Sequence, residues 1–108
     1  LQIMPMPDLP DAESLRDALT VVLDPEVGMN IVDLGLVYDI RVAPGRIEAD
    51  ITMTTPSCPM GQMIVEETRA AIAGAVPAGT EVIVNLVWDP PWDASMMSDH
   101  AREHFGWR

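Results

Sequence analysis

Lysine is absent from this chain, cysteine occurs once, histidine twice, and no apolar run approaches the length of a bilayer span. Each shortage removes a class of function. A membrane-crossing helix needs about 20 consecutive apolar residues, so a transmembrane role is not expected. One cysteine can neither close an intrachain disulfide nor supply a four-thiolate cluster site from a single chain. Six arginines face 17 acidic residues, for a formal net charge of −11. A field of that sign repels phosphate backbones and anionic lipid, so neither nucleic acid nor a membrane surface is an expected partner. No GxGxxG or GxxxxGK pattern occurs, so no nucleotide loop is indicated. The opening LQIMPMPDLP has no basic residue and no long apolar core, which argues against a signal peptide.

What remains is the composition of one globular domain: 108 residues, 48% hydrophobic and 21% charged, a balance unlike that of disordered chains. Residues 1–10, rich in proline, read as a flexible lead-in, and residues 11–108 as the domain. Asp11 is a good N-cap, and Leu15, Ala18, Leu19, Val22 and Leu23 follow at the spacing of one helical face. Pro25 ends that helix. Residues 24–33, DPEVGMNIVD, read as a loop lined by three acids and pinned to the core by Val27, Met29, Ile31 and Val32.

The period then changes to two. Leu36, Tyr38, Ile40 and Val42 share one face of a strand, and Val37, Asp39 and Arg41 the other. After the turn APGR, Ile47, Ala49, Ile51 and Met53 alternate with Glu48, Asp50, Thr52 and Thr54, which completes a β-hairpin. A second helix is expected from about Pro59 to Gly74 or Ala75, with Met60, Ile64, Ala71, Ile72 and Ala75 toward a sheet and Glu66, Glu67 and Arg69 toward water. Residues 81–88, EVIVNLVW, form a third strand, which can lie beside the first after the helical crossover. A short last helix carries Met97, Ala101 and Phe105 at four-residue steps. The fold class is α/β: a two-layer single domain ordered helix, strand, strand, helix, strand, short helix.

Cys58 stands where a strand exit enters a helix. Unpaired N–H groups and the positive end of the helix dipole would favour its thiolate, the form that reacts or ligates soft metals. A buried, inert thiol is the competing reading. Asp24, Glu26 and Asp33, with Thr54 and Thr55, could gather round the sulfur as a supporting polar site; close carboxylates would oppose thiolate formation. As local turn and cap residues they have an equally concrete explanation. His100 and His104 have the spacing of paired zinc ligands but lack the glutamate of a zincin, and read as exposed tail residues. The last quarter concentrates Trp88, Trp92, Met96, Met97 and Phe105, either as cover for a small sheet or as a docking patch for partners.

The run DPEVGMNIVDLGLVYDI at residues 24–40, TTPSCP at 54–59 and the ending EVIVNLVWDPPWDASMMSDHAREHFGW together resemble the MIP18 family, formerly a domain of unknown function. The resemblance extends from about Leu15 to Trp107 and takes in proteins similar to SufT-like and PaaD-like members. It implies an α/β domain of the iron–sulfur cluster assembly type and a cytoplasmic, non-enzymatic role as scaffold or transfer factor in maturing iron–sulfur or metalloenzyme clients. The implied partners are other iron–sulfur assembly proteins and apo-protein clients, with a homodimer as one way for copies to share a cluster. The family's cysteine corresponds to Cys58, its acidic loop to Asp24, Glu26 and Asp33, and its threonine before the cysteine to Thr54 or Thr55. The implied cargo is a transient iron or iron–sulfur cluster, with Cys58 as its ligand. Two other functions fit the same residues. One is an adaptor subunit in which Cys58 only packs; the other is a small thiol enzyme, which would need a pocket beside Cys58 within reach of His100 or His104.

Overall fold

The structure, a computed structural model, describes residues 10–25, 27–54 and 61–106. The lead-in expected over residues 1–10 lies almost wholly outside them. The first helix, α1 (Ala12–Ala18), begins as the sequence predicts: the Asp11 carboxylate accepts from Ser14 N at 2.8 Å. It is shorter than expected. A single 3-10 turn, Leu19–Val21, follows, and the backbone is extended by Val22. Leu15, Leu19 and Val22 are buried, but Leu23, expected on the same face, is 49% exposed. Once the chain leaves helical geometry the 3.6-residue spacing no longer governs which side faces inward. Leu23 belongs instead to β1 (Leu23–Asp24), which pairs antiparallel with β2 (Met29–Asn30). The loop expected over residues 24–33 thus contains a two-residue ladder, closed by Gly28 N donating to Asp24 O at 2.8 Å.

The hairpin is β3 (Val37–Ala43) and β4 (Arg46–Ile51), joined through Pro44 and Gly45. Gly45 takes a φ of +72°, which a two-residue hairpin turn favours in glycine. Ile47, Ala49, Ile51 and the following Met53 are all buried, as their period predicts. β3 departs from strict alternation. Its register slips between Val37 and Asp39, so Tyr38 is an extra residue, a β-bulge. The bulge turns Val37 inward beside Ile40, although the sequence period puts them on opposite faces. Val42, at the far end of the hairpin, is 39% exposed rather than buried.

From β4 the chain passes through α2 (Gly61–Ala73) to β5 (Glu81–Leu86), which lies parallel to β4 with Ile47 opposite Val82 and Ile51 opposite Leu86. The sheet order is therefore β3-β4-β5, and the third strand does not lie beside the first. α1 packs on β3 and α2 on β5, so each helix covers its own part of one layer. Ile64, Val65, Thr68 and Ile72 line the buried side of α2; Ala75 lies past its end and is exposed. Thr68 was not expected inside, and its hydroxyl has no hydrogen-bond partner among the described residues. It packs by shape, as a valine would. The expected helix start near Pro59 lies outside the described residues.

The last segment turns from β5 back across the sheet end toward β3. Trp92 Nε1 donates to Leu34 O at 2.7 Å, and a turn at Ala94–Met96 leads to α3 (Asp99–His104), capped by Ser98. Met97 and Ala101 are buried and Phe105 packs against them from the rim, as the four-residue spacing predicts.

Candidate functional site

Cys58, Glu26 and Thr55 lie outside the described residues. The frame from which the cysteine segment departs is well defined. β4 ends at Ile51, and the chain continues through buried Thr52 and Met53 to Thr54. Thr52 N donates to Leu36 O at 2.8 Å, and Val87 N to Ile51 O at 2.8 Å, so backbone from β3's approach and β5's exit converges there. On the far side of the segment, a Cβ added at Gly61 would meet Leu86 Cδ2 at 3.5 Å and Met53 Cγ at 3.7 Å. Both ends of the cysteine-bearing segment are therefore anchored at the carboxyl end of the parallel pair β4–β5, where open α/β sheets place their ligands.

The turn carrying Asp33 reaches the same end of the sheet, because Val37 pairs with Ile51. Its carboxylate is already engaged. Ser98 Oγ donates to Oδ1 at 2.7 Å, Asn30 Nδ2 donates to Oδ2 at 2.7 Å, and Asp33 N donates to Asn30 Oδ1 at 2.8 Å. Ser98 N donates to Asp33 O at 2.8 Å, so the same serine is bonded twice to Asp33 while capping α3. Asp33 fastens the tail to the turn before β3. The Ser98 bond first, then Asn30 and the charge of His100, hold its pKa below the ordinary value of 3.8 against partial burial. A depressed pKa means that this clasp contributes fully above pH 3.8 and is lost as pH falls through the lower folded value. Acid titration of Asp33→Asn is expected to lose that part of the stability change below pH 3.8, read as a flatter dependence of the urea midpoint on pH. An unchanged slope would show that the clasp contributes nothing.

Asp24 is only 1% exposed, and its carbonyl holds the β1–β2 turn through Val27 N and Gly28 N. Thr54 is half-buried at the segment's edge. Among the expected docking residues, Trp88 is 43% exposed directly after β5, whereas Met97 is 4% exposed and belongs to the core. Trp92, Met96 and Phe105 are half-buried against the body of the domain. His100 and His104 are exposed, as expected. Among the described residues no three histidine, cysteine, aspartate or glutamate side chains converge to hold a metal.

Two features were missed from the sequence. The Tyr38 hydroxyl donates to Pro90 O at 2.7 Å, with Met96 Sδ 3.5 Å away. Burial, with Asp93 and Asp89 nearby, pushes this phenol's pKa upward against the Thr52 hydroxyl, so Tyr38 stays neutral. An open cleft of about 400 Å³ lies beside it, lined by Arg16, Val32, Val37, Pro90 and Met96. The only signal for this arrangement was a lone tyrosine in an otherwise aliphatic strand face. On the outer sheet face Arg41 meets both oxygens of Asp50 at 2.8 and 3.0 Å and also pairs with Asp39 and Glu48. Asn85 Nδ2 bridges Glu48 and Asp50. Arg41 first, and Asn85 with it, lower the pKa of Asp50; for Glu48 the order is reversed.

A family model described as iron–sulfur cluster assembly protein matches residues 12–85. The chain is 41% identical over 87 residues to the Fe-S protein maturation auxiliary factor SufT of Staphylococcus aureus (strain USA300), covering 80% of this chain and 98% of that one. It is 39% identical over 95 residues to the Fe-S protein maturation auxiliary factor YitW of Bacillus subtilis (strain 168), covering 87% and 92%. Among solved structures, a domain of unknown function from Bacillus anthracis aligns with a TM-score of 0.82 at 39% identity, over 89% of this chain and 92% of that chain. A conserved hypothetical protein from Thermotoga maritima aligns at 0.78 and 39% identity, over 94% and 99%.

Proposed function

This chain belongs to the iron–sulfur cluster assembly protein family, and from that premise we propose that it is a non-catalytic accessory factor in the maturation of iron–sulfur proteins, with Cys58 giving one bond to iron or cluster cargo. One observation carries the residue assignment. The chain's sole thiol falls in the segment that joins the carboxyl end of β4 to α2, three positions before Gly61. At such a position a helix amino terminus favours the anionic sulfur that binds iron. A cluster takes about four ligands and this chain offers one thiolate; a second copy would bring the thiolates to two, so a partner protein or small thiols must supply the rest of the set. Such shared ligation is weak by design and suits a factor that passes cargo on. The partners are other iron–sulfur assembly proteins and apo-protein clients, in the cytoplasm.

Anaerobic reconstitution with iron and sulfide, with mass and absorption read on one sample, tests the cargo contact. Without added thiol, no more than about one cluster per two chains is expected, and none on Cys58→Ser. Equal cluster content in Cys58→Ser would remove the thiol from the site. The adaptor reading, in which Cys58 only packs, predicts that the protein as a whole binds no cargo.

A further inference from the structure

We propose that the free edge of β5 is a docking strand for an extended, basic segment of the client protein, and that strand addition there brings the client to the end of the sheet where the cysteine segment begins. The proposal rests on the maturation role above and names how the client is held. The order β3-β4-β5 leaves β5 at an edge. Glu81 N donates to Gly45 O at 2.9 Å and Val87 N to Ile51 O at 2.8 Å, both toward β4. By the alternation of a parallel ladder, the N–H groups of Val82, Val84 and Leu86 then face away from β4. No strand among the described residues pairs with them.

An edge of this kind is usually blunted by proline, lysine or a bulge. Residues 81–87 contain none of these, while the opposite edge strand, β3, has its bulge at Tyr38. Among the described residues, the tail's side-chain hydrogen bonds to the rest of the domain run to Tyr38, Leu34 and Asp33 on the β3 side, not to this edge. Trp88, 43% exposed, stands at the strand's end as an apolar contact.

Charge selects the occupant. Beside the edge, Glu48, Asp50 and Glu81 outnumber Arg41 and Arg46, within a chain of net charge −11. A second copy would bring the same field against itself, whereas a strand alternating apolar with lysine or arginine residues meets both the aliphatic edge and the acidic face. Because Leu86 pairs with Ile51, three residues before Thr54, a segment added along β5 ends beside the exit toward Cys58.

An acetylated octapeptide alternating valine and lysine serves as the probe, with the full chain followed by NMR-detected amide exchange. The peptide is expected to slow exchange at Val82, Val84 and Leu86 by about tenfold or more, and Val84→Pro to weaken its binding by a similar factor. Val84→Pro removes an outward N–H and leaves the β4 ladder bonds in place. Ile83→Lys retains every backbone donor, adds charge against the peptide and is expected to weaken binding equally, which keeps the test decisive if the proline variant fails to fold. Three results would overturn the proposal: peptide shifts mapping elsewhere, undiminished binding by Ile83→Lys, or concentration-dependent protection of these amides without peptide, the mark of a second copy. Strand addition combined with full client activation by Cys58→Ala would defeat the thiol role and leave the docking strand standing. No strand addition, with activation lost in Cys58→Ala, would do the reverse.

Discussion

Gly35→Ala is expected to destabilise the domain by roughly 3–5 kcal/mol, a large share of the total stability of a chain this size. Two effects combine. Gly35 has a φ of +79°, a left-handed conformation that costs any residue with a Cβ about 1–2 kcal/mol. The larger effect is contact: that Cβ would lie 2.3 Å from Met96 O and 2.7 Å from Met96 C, both backbone atoms of the tail. Main chain cannot rotate aside as the end of a flexible side chain can. The tail must lift, and Trp92, Met97 and Ala101 lose their seats with it. Gly45→Ala is the control, because Gly45 has a similar φ of +72° but open space around it. It is expected to show the backbone strain alone, about 1–2 kcal/mol. Urea unfolding of both variants separates strain from collision, and equal midpoints would mean that the tail does not press on Gly35.

Trp92→Ala is expected to cost about 2–4 kcal/mol, and Trp92→Phe about 1 kcal/mol. The phenylalanine keeps most of the apolar surface packed against the core but removes the donor to Leu34 O, held at 2.7 Å. The alanine loses both. Trp88→Ala, at an exposed position, is expected to stay within about 0.5 kcal/mol of the parent. The two tryptophans, grouped together by sequence, thus separate into a clamp that holds the tail and a surface free to meet another protein. Equal stability of the two alanine variants in urea would contradict that separation. A partner-binding defect in Trp92→Ala would then have to be judged against its loss of fold, whereas one in Trp88→Ala would speak for contact directly.

Local pattern made much of the fold legible. The alternation of Ile47, Ala49 and Ile51 against Glu48 and Asp50 marks a strand with one buried face, and the Pro44–Gly45 turn closes the hairpin as its residues demand. The four-residue steps of Met97, Ala101 and Phe105 marked the tail's inner face. What could not be read depends on distant contacts. The bulge at Tyr38 leaves no trace in a run where apolar residues occupy both parities. The neighbour of β5 follows from which helix covers which strand, and strand period says nothing about that. Leu23 lies on the other side because the backbone is already extended at Val22, where the 3.6-residue spacing no longer applies. For the site, the sequence singled out Cys58 and Asp33, but the clasp between Asp33 and Ser98 spans 65 residues and has no local signature. Family resemblance, carried by three separated motifs, proposes a chemistry that position alone leaves open; the family match over residues 12–85 bears out the membership.

The role of the lone thiol is tested most directly by activation of a cluster-dependent client enzyme in a purified maturation assay, comparing the parent chain with Cys58→Ala after circular dichroism has shown both to be folded. The account predicts that Cys58→Ala activates the client no better than an assay lacking the factor, while its urea midpoint remains within about 1 kcal/mol of the parent's in stability. Full activation by Cys58→Ala would contradict it.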